Sequence, residues 1–127
     1  MTEIVNLTPH PVRVFPEDTP DRIEPGSVTP LRVVPTSTAH QPARLGQHVL
    51  GPEHLDLDVP VERVAYGAAH HDFPPLPPPL PGTYYLVSLV VGLAATSRED
   101  LLVCHDTVRD LNGCIIGVRK LARPHRG

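Results

Sequence analysis

The chain has no tryptophan, two phenylalanines and three tyrosines among its 127 residues. A core with so few rings must be filled by Val, Leu, Ile and Ala, side chains that suit a pleated, half-buried surface. Neither sign of charge dominates: eleven Lys and Arg stand against fourteen Asp and Glu, a net charge of −3. The basic residues are dispersed, so the electrostatic footprint of a duplex nucleic-acid binder is missing and no nucleic-acid partner is expected. Cysteine is scarce as well. Cys104 and Cys114 are the whole supply and do not form a zinc-finger spacing, which points to a reduced, cytoplasmic protein. The longest apolar run, Leu86 to Ala95, is too short to span a bilayer. Met1–Leu7 lacks the basic start and apolar stretch of a signal peptide, so no membrane role is expected.

Proline is what the chain has in excess, at seventeen residues. Each removes a backbone donor and clashes with a preceding helical turn, which excludes a mostly helical protein. The length suits one domain, 1–127, with a single core. Glu3–Leu7 and Val12–Phe15 read as strands joined by Thr8-Pro9-His10-Pro11, a turn that predicts a hairpin. Asp21–Glu24 reads as a short edge strand, and Val28–Val34 as a strand pairing with the first two. Residues 35–60 form an irregular excursion with one strand at Gln47–Leu50, and Val61–Tyr66 follows as another strand. Phe73–Gly82 is too rich in proline for helix or central strand and reads as a polyproline connector, with a PxxP docking motif as the other reading. Ala122–Gly127 is a short basic tail, flexible from residue 123.

The densest apolar stretch is Thr83–Cys104. Thr83–Val87 reads as a strand covered on both faces. Ser88 is an N-cap, after which Leu89, Val90, Leu93 and Ala94 fall on one face of a short helix. Leu101–Cys104 returns as a strand, parallel to the first if the unit is βαβ and antiparallel if it is not. His105–Asp110 reads as a polar loop. Asp110-Leu111-Asn112-Gly113 is a turn whose Asn-Gly supplies positive φ, leading to a last strand, Cys114–Leu121. The expected fold is α+β: one small domain, mostly antiparallel sheet, with one short helix in a C-terminal strand-helix-strand-hairpin unit.

If the two core strands are parallel, their carboxyl ends share an edge and bring Ser88 beside the His105-Asp106-Thr107 loop. Ligands of open α/β sheets gather at such an edge. Ser88, Asp106, Thr107 and Arg109 are therefore the candidate ligand-binding residues for a small anionic, nucleotide-like molecule. A cap at Ser88 and turn formers at Asp106-Thr107 account for the same residues. Cys104 beside His105 and Asp106 invites a nucleophile-and-base reading, but a cysteine ending an apolar strand is expected to be buried and inert. Among eight histidines, His70-His71-Asp72 is the local cluster, with His10, His48, His54 and His105 as distant partners. Adjacent strand residues point to opposite faces, so no metal and no cofactor are expected. Arg98, Glu99 and Asp100, like Arg109 and Asp110, are expected to form cross-loop salt bridges.

Asn6 to His10, Tyr85 to Ser88, Arg98 to Leu101 and Arg109 to Gly117, in that order, resemble a family of small uncharacterised bacterial and phage proteins. Its members open with Asn-Leu-Thr-Pro-His and later carry a Tyr-Ile-Val-Ser-like strand, Arg-x-Asp-Leu, and an Arg-Asp-x-Asn-Gly turn before a last strand. Where relatives tend to have a proline-aspartate pair after the second core strand, this chain has Cys104-His105-Asp106. The middle, Ala39–Pro60, is also longer here. The family carries no assigned activity, so the resemblance implies kinship and a phage or mobile-element setting.

The leading expectation is a non-catalytic binding protein recognising a small anionic ligand or a protein partner, such as a phage-linked sponge or inhibitor. The alternative is a small hydrolase or transferase using His10, His105 and Asp106, with or without a metal. A third is an assembly protein forming homo-oligomers through the edge of Glu3–Leu7.

Overall fold

The computed structural model describes residues 2–66 and 76–125. Among these residues eight strands and one helix follow in order: β1 (Glu3–Asn6), β2 (Val12–Val14), β3 (Arg32–Val34), β4 (Gln47–Pro52), β5 (Glu62–Tyr66), β6 (Thr83–Leu86), α1 (Leu89–Ala94), β7 (Leu101–Arg109) and β8 (Ile115–Ala122). Six strands form one sheet in the order β1-β6-β7-β8-β2-β3, while β4 and β5 make a separate ribbon. The antiparallel ladders hold most of the paired residues and β7–β8 is the longest of them. Three joints are parallel: β1–β6, β6–β7 and β2–β8. No helix among the described residues is long and apolar enough to cross a membrane.

The expected hairpin between the first two strands does not form. β1 pairs in parallel with β6, from Glu3 opposite Thr83 to Asn6 opposite Leu86, and β2 lies at the far side of the sheet between β8 and β3. The link bends at Thr8–His10 around the Asn6 side chain, and the contacts of Asn6 with Val34 O and Thr36 put the end of β3, not β2, beside β1. Beyond β3, Thr36 bridges Asn6 of β1, and Ser37 N donates to Asn6 O at 2.9 Å. The first and last strands of the sheet therefore meet, and the sheet curls into a barrel-like ring.

Asn6 closes that ring. It is completely buried, and its amide uses all four hydrogen-bonding positions such a group possesses. Nδ2 donates to His10 O (2.9 Å) and Val34 O (3.0 Å), and Oδ1 accepts from Thr8 N (2.8 Å). Thr8 Oγ1 lies 2.6 Å from Asn6 Oδ1 and 2.9 Å from His10 O. A hydroxyl has one proton, and an oxygen pair as close as 2.6 Å needs it, so it goes to Asn6. Leu7, the next residue, turns to the other face and enters the core, where its N donates to Leu86 O (2.8 Å) and its O accepts from Ala43 N (2.9 Å).

The main core lies between the sheet and α1. Leu7, Tyr85, Val87, Leu101 and Val103 meet Val91 of the helix there, with Ala43 from the long excursion. Ser88 is the N-cap, its Oγ accepting from Val91 N at 3.4 Å. The buried side of α1 is not the expected one. Val91 and Gly92 face the sheet, whereas Leu89 and Val90 are 57% and 58% exposed and Leu93 and Ala94 are also exposed. Gly92 decides this, because a Cβ there would stand 2.8 Å from Val103 Cγ1, so only glycine lets the helix approach β7 so closely. A second cluster, Phe15, Ile23 and Val108, fills the other end. The Phe15 ring lies over Gly117, where a Cβ would meet that ring and Arg13 O at 2.6 Å.

Two local motifs brace the sheet. Arg98 grips Asp100 through Nε and Nη2, both at 2.8 Å, and Nη2 also donates to Pro77 O. The Tyr85 hydroxyl donates to Pro78 O at 3.3 Å, so this end of the proline-rich stretch is tied to its own domain. Phe73–Pro75 and the His70-His71-Asp72 cluster lie outside the described residues. In the β7–β8 turn Gly113 alone takes positive φ (85°), not the Asn-Gly pair. Asp110 Oδ1 accepts from Asn112 N and Cys114 N, both at 2.9 Å, and the register shift beside it marks a bulged hairpin instead of a two-residue one.

Replacing Asn6, itself fully buried, leaves two carbonyls and an amide without their partner, so Asn6→Ala is expected to lower the unfolding free energy by about 2–4 kcal/mol in urea titration. Asn6→Asp keeps the Thr8 contacts but aims a carboxylate at two carbonyl oxygens, which raises its folded pKa. Its instability should therefore grow as pH rises above about 4, the unfolded value. Gly117→Ala, which overpacks against Phe15, should cost about 1–3 kcal/mol by the same measurement.

Candidate functional site

The two core strands are parallel, Tyr85 opposite Leu101 and Leu86 opposite Leu102. Even so, the expected site residues do not come together. His105-Asp106-Thr107 is not a loop: β7 runs straight through it to Arg109, paired with β8 on one side. On the other side β7 leaves β6 after Leu102 and is met again at Arg109, where Arg109 N donates to Asp21 O (2.8 Å) and Ile23 N to Arg109 O (2.9 Å). The gap between these contacts opens a cleft of about 660 Å³ lined by Asp21, Arg22, Cys104, His105, Asp106, Thr107, Arg109 and Arg119. Ser88 lines a different concavity.

The cleft is organised by Arg119, which lies across the ladder from Asp106. Its Nε and Nη2 clamp Asp106 at 3.0 and 2.7 Å, Nη2 reaches Asp21 Oδ1 at 2.6 Å, and Nη1 donates to Thr19 O at 2.6 Å. Its side chain is only 11% exposed. The hydrogen bond from Arg119 holds the Asp106 carboxyl below the usual carboxylate range, and its carboxylate partners push the Arg119 guanidinium up in turn. To face this partner Asp106 takes φ 60°, the positive-φ position among described residues other than glycine. Arg109 Nη1 is bound to Gly113 O at 2.8 Å. Asp106, Thr107 and Arg109 thus share the cleft, but its two best-placed cations are committed to the chain itself. Arg22 has no side-chain hydrogen bond or ion pair among the described residues.

The catalytic alternative fares no better on geometry. His105 and Asp106 line the cleft, whereas His10 ends the Asn6 turn and does not line it. A carboxylate clamped by arginine is a weak base. Cys104 is exposed, a correction to the buried thiol expected, because β7 continues past it and turns it to the cleft. Protein packed about its sulfur still pushes the thiol pKa up, the opposite of an activated nucleophile. No group of three or more metal-capable side chains occurs among the described residues.

The second concavity is a groove of about 630 Å³ between the end of β1, the start of α1 and the β4–β5 ribbon. Pro9, Pro42, Ala43, Leu45, Tyr66 and Val90 give it apolar walls, and Ser88 and Arg44 supply its polar groups. Arg44 is exposed, with no side-chain hydrogen bond or ion pair among the described residues. Ser88 Oγ accepts from Val91 N and keeps its proton to donate. Of these residues only Ser88 stands out in the sequence as a candidate: Arg44 lies in the irregular excursion, and Tyr66 is legible only as the end of an expected strand. Arg119 was legible by counting: outward from the Asp110–Gly113 turn, with one residue for the bulge, it falls opposite Asp106.

No family model matches the chain, and no curated protein and no solved structure matches it. The resemblance described above therefore stands on its short motifs. Their residues prove to be the Asn6 closure, the Arg98–Asp100 clamp and the Asp110 turn.

Asp100 and Asp106 are both held low by arginine hydrogen bonds, so each contributes stability that is fully present above the unfolded carboxylate pKa of about 4 and is lost as pH falls from there through the depressed folded value. Asp106→Asn should melt at a lower temperature than wild type at pH 7, and the two curves should converge in acid, once the depressed folded-state pKa is passed. Thermal melts across that range check this.

Proposed function

We propose that this chain is a non-catalytic binding protein whose groove takes a small anion with a flat apolar body, as in a nucleotide-like molecule. The observation that carries the reading is the pairing, within one apolar groove, of two donors the chain leaves uncommitted: the Arg44 guanidinium and the Ser88 hydroxyl. A phosphate or carboxylate takes hydrogen bonds from both, and arginine offers it a planar two-pronged donor. A ring system lies against Tyr66, Pro9 and Pro42, gaining dispersion and burying apolar surface on both sides. The cleft at Arg119 is the weaker candidate, because an anion entering it meets Asp21 and Asp106 with their cation already neutralised.

Calorimetric titration against nucleotides and aromatic carboxylates tests the reading. A charge-assisted hydrogen bond contributes roughly 1.5–3 kcal/mol, so Arg44→Ala should weaken binding by about 10- to 100-fold. Ser88→Ala should weaken it several-fold and Arg109→Ala should leave it unchanged. Absence of binding across the panel, or binding indifferent to Arg44, would reject the groove as an anion site.

A further inference from the structure

Arg22 and Arg109 are the cations of the first cleft that no carboxylate holds. Three arginines and two aspartates line it, and Arg119 binds both aspartates, at 2.6 and 2.7 Å. Neither Arg22 nor Arg109 forms an ion pair among the described residues. Asp110, next to Arg109 in the chain, turns its Oδ1 to the backbone N–H groups of Asn112 and Cys114.

The backbone brings these two side chains together. Arg22 makes a parallel bridge with Arg109, closed by hydrogen bonds from Arg109 N to Asp21 O (2.8 Å) and from Ile23 N to Arg109 O (2.9 Å). Paired strands lie about 4.8 Å apart, and partners in register point to the same face. Their neighbours Ile23 and Val108 are buried, so by alternation the two arginines share the outer face. The guanidinium groups then meet around one residue of the β7–β8 turn. Arg109 Nη1 donates to Gly113 O at 2.8 Å, and Arg22 Nη1 and Nη2 stand 3.9 Å from where a Gly113 Cβ would lie. Like charges directly opposite each other destabilise a sheet. An anion between them reverses the sign of that interaction.

We infer that Arg22 and Arg109 hold a tetrahedral oxyanion, a phosphate or a phosphate monoester. Two guanidinium forks match a dianion in charge, and each can present paired N–H groups to two of its oxygens. The bond to Gly113 O steadies the Arg109 fork and leaves its remaining N–H groups free. Thr107 lines the same cleft with a hydroxyl that has no hydrogen bond among the described residues, and it adds a neutral donor. The site is independent of the groove, which uses Arg44 and Ser88.

Thermal melts in sodium phosphate at pH 8, against sodium chloride of equal ionic strength, test this. Wild type should gain stability saturably as phosphate replaces chloride. Arg22→Gln gives up no hydrogen bond, so it should melt at or above wild type in chloride and below it in phosphate. Its half-saturating phosphate concentration should rise about tenfold or more. Phosphate also strengthens apolar burial in any protein, an effect common to all variants. Arg44→Ala should therefore respond to phosphate as wild type does. An alkyl phosphate monoester, like inorganic phosphate largely dianionic at that pH, tells a phosphorylated ligand from the free ion by which of the two saturates first. Equal phosphate shifts in wild type and Arg22→Gln, or a response lost with Arg44 instead of Arg22, overturn the inference.

Discussion

The buried amide of Asn6 is the contact the rest of this structure depends on. A sheet whose first and last strands meet must satisfy polar groups at the seam, where pairing is reduced to a single bridge at Thr36. One side chain does this by joining the end of β1 to Val34 O of β3 and to His10 O, on the way into β2. A leucine of similar size would fill the space and leave those carbonyls orphaned, at a cost comparable to a substantial share of a small domain's stability. Because every position of the amide is used, neither rotation by 180° nor replacement by an isostere preserves the set.

The same logic applies to other polar segments of the chain. Arg98 and Asp100 anchor the proline-rich stretch to the sheet, and Asp110 organises the β7–β8 turn. Arg119, Asp106 and Asp21 tie the loop after β2 across the longest ladder. These polar groups are partnered within the chain. Arg44 and Ser88, by contrast, are uncommitted donors on a different part of the surface, and the ribbon also exposes apolar side chains.

Much of the C-terminal half was readable. The strand-helix-strand run shows in the density of Val and Leu after Thr83, the cap in Ser88, and the hairpin in Asn112-Gly113. The reading failed where distant contacts override local pattern. β1 looked like half of a hairpin because Pro9 and Pro11 signal a turn, yet its partner is β6, which no local pattern can indicate. His105–Asp110 looked like a loop because it is polar, but β7 continues through it to Arg109, and a strand beside an open cleft has a wet side. The apolar periodicity of α1 selected Leu89, Val90, Leu93 and Ala94, and the close approach at Gly92 turned the helix the other way. The candidate site split for the second of these reasons: β7 runs past the point where a loop would have returned to Ser88.

The parallel pairing of β1 with β6 has a consequence for how the chain folds. Glu3 finds its partner at Thr83, so the closed sheet cannot form until most of the chain is available. Loop-closure entropy must be spent before this pairing returns any of it, and sheets dominated by such contacts fold slowly. During synthesis β1 therefore emerges long before its neighbour and waits as an unpaired edge. Charged Glu3 at its start and prolines at positions 9 and 11 just beyond it make that waiting segment a poor template for pairing with another chain. The proline that breaks local order in the finished fold is also what keeps the nascent one from being captured.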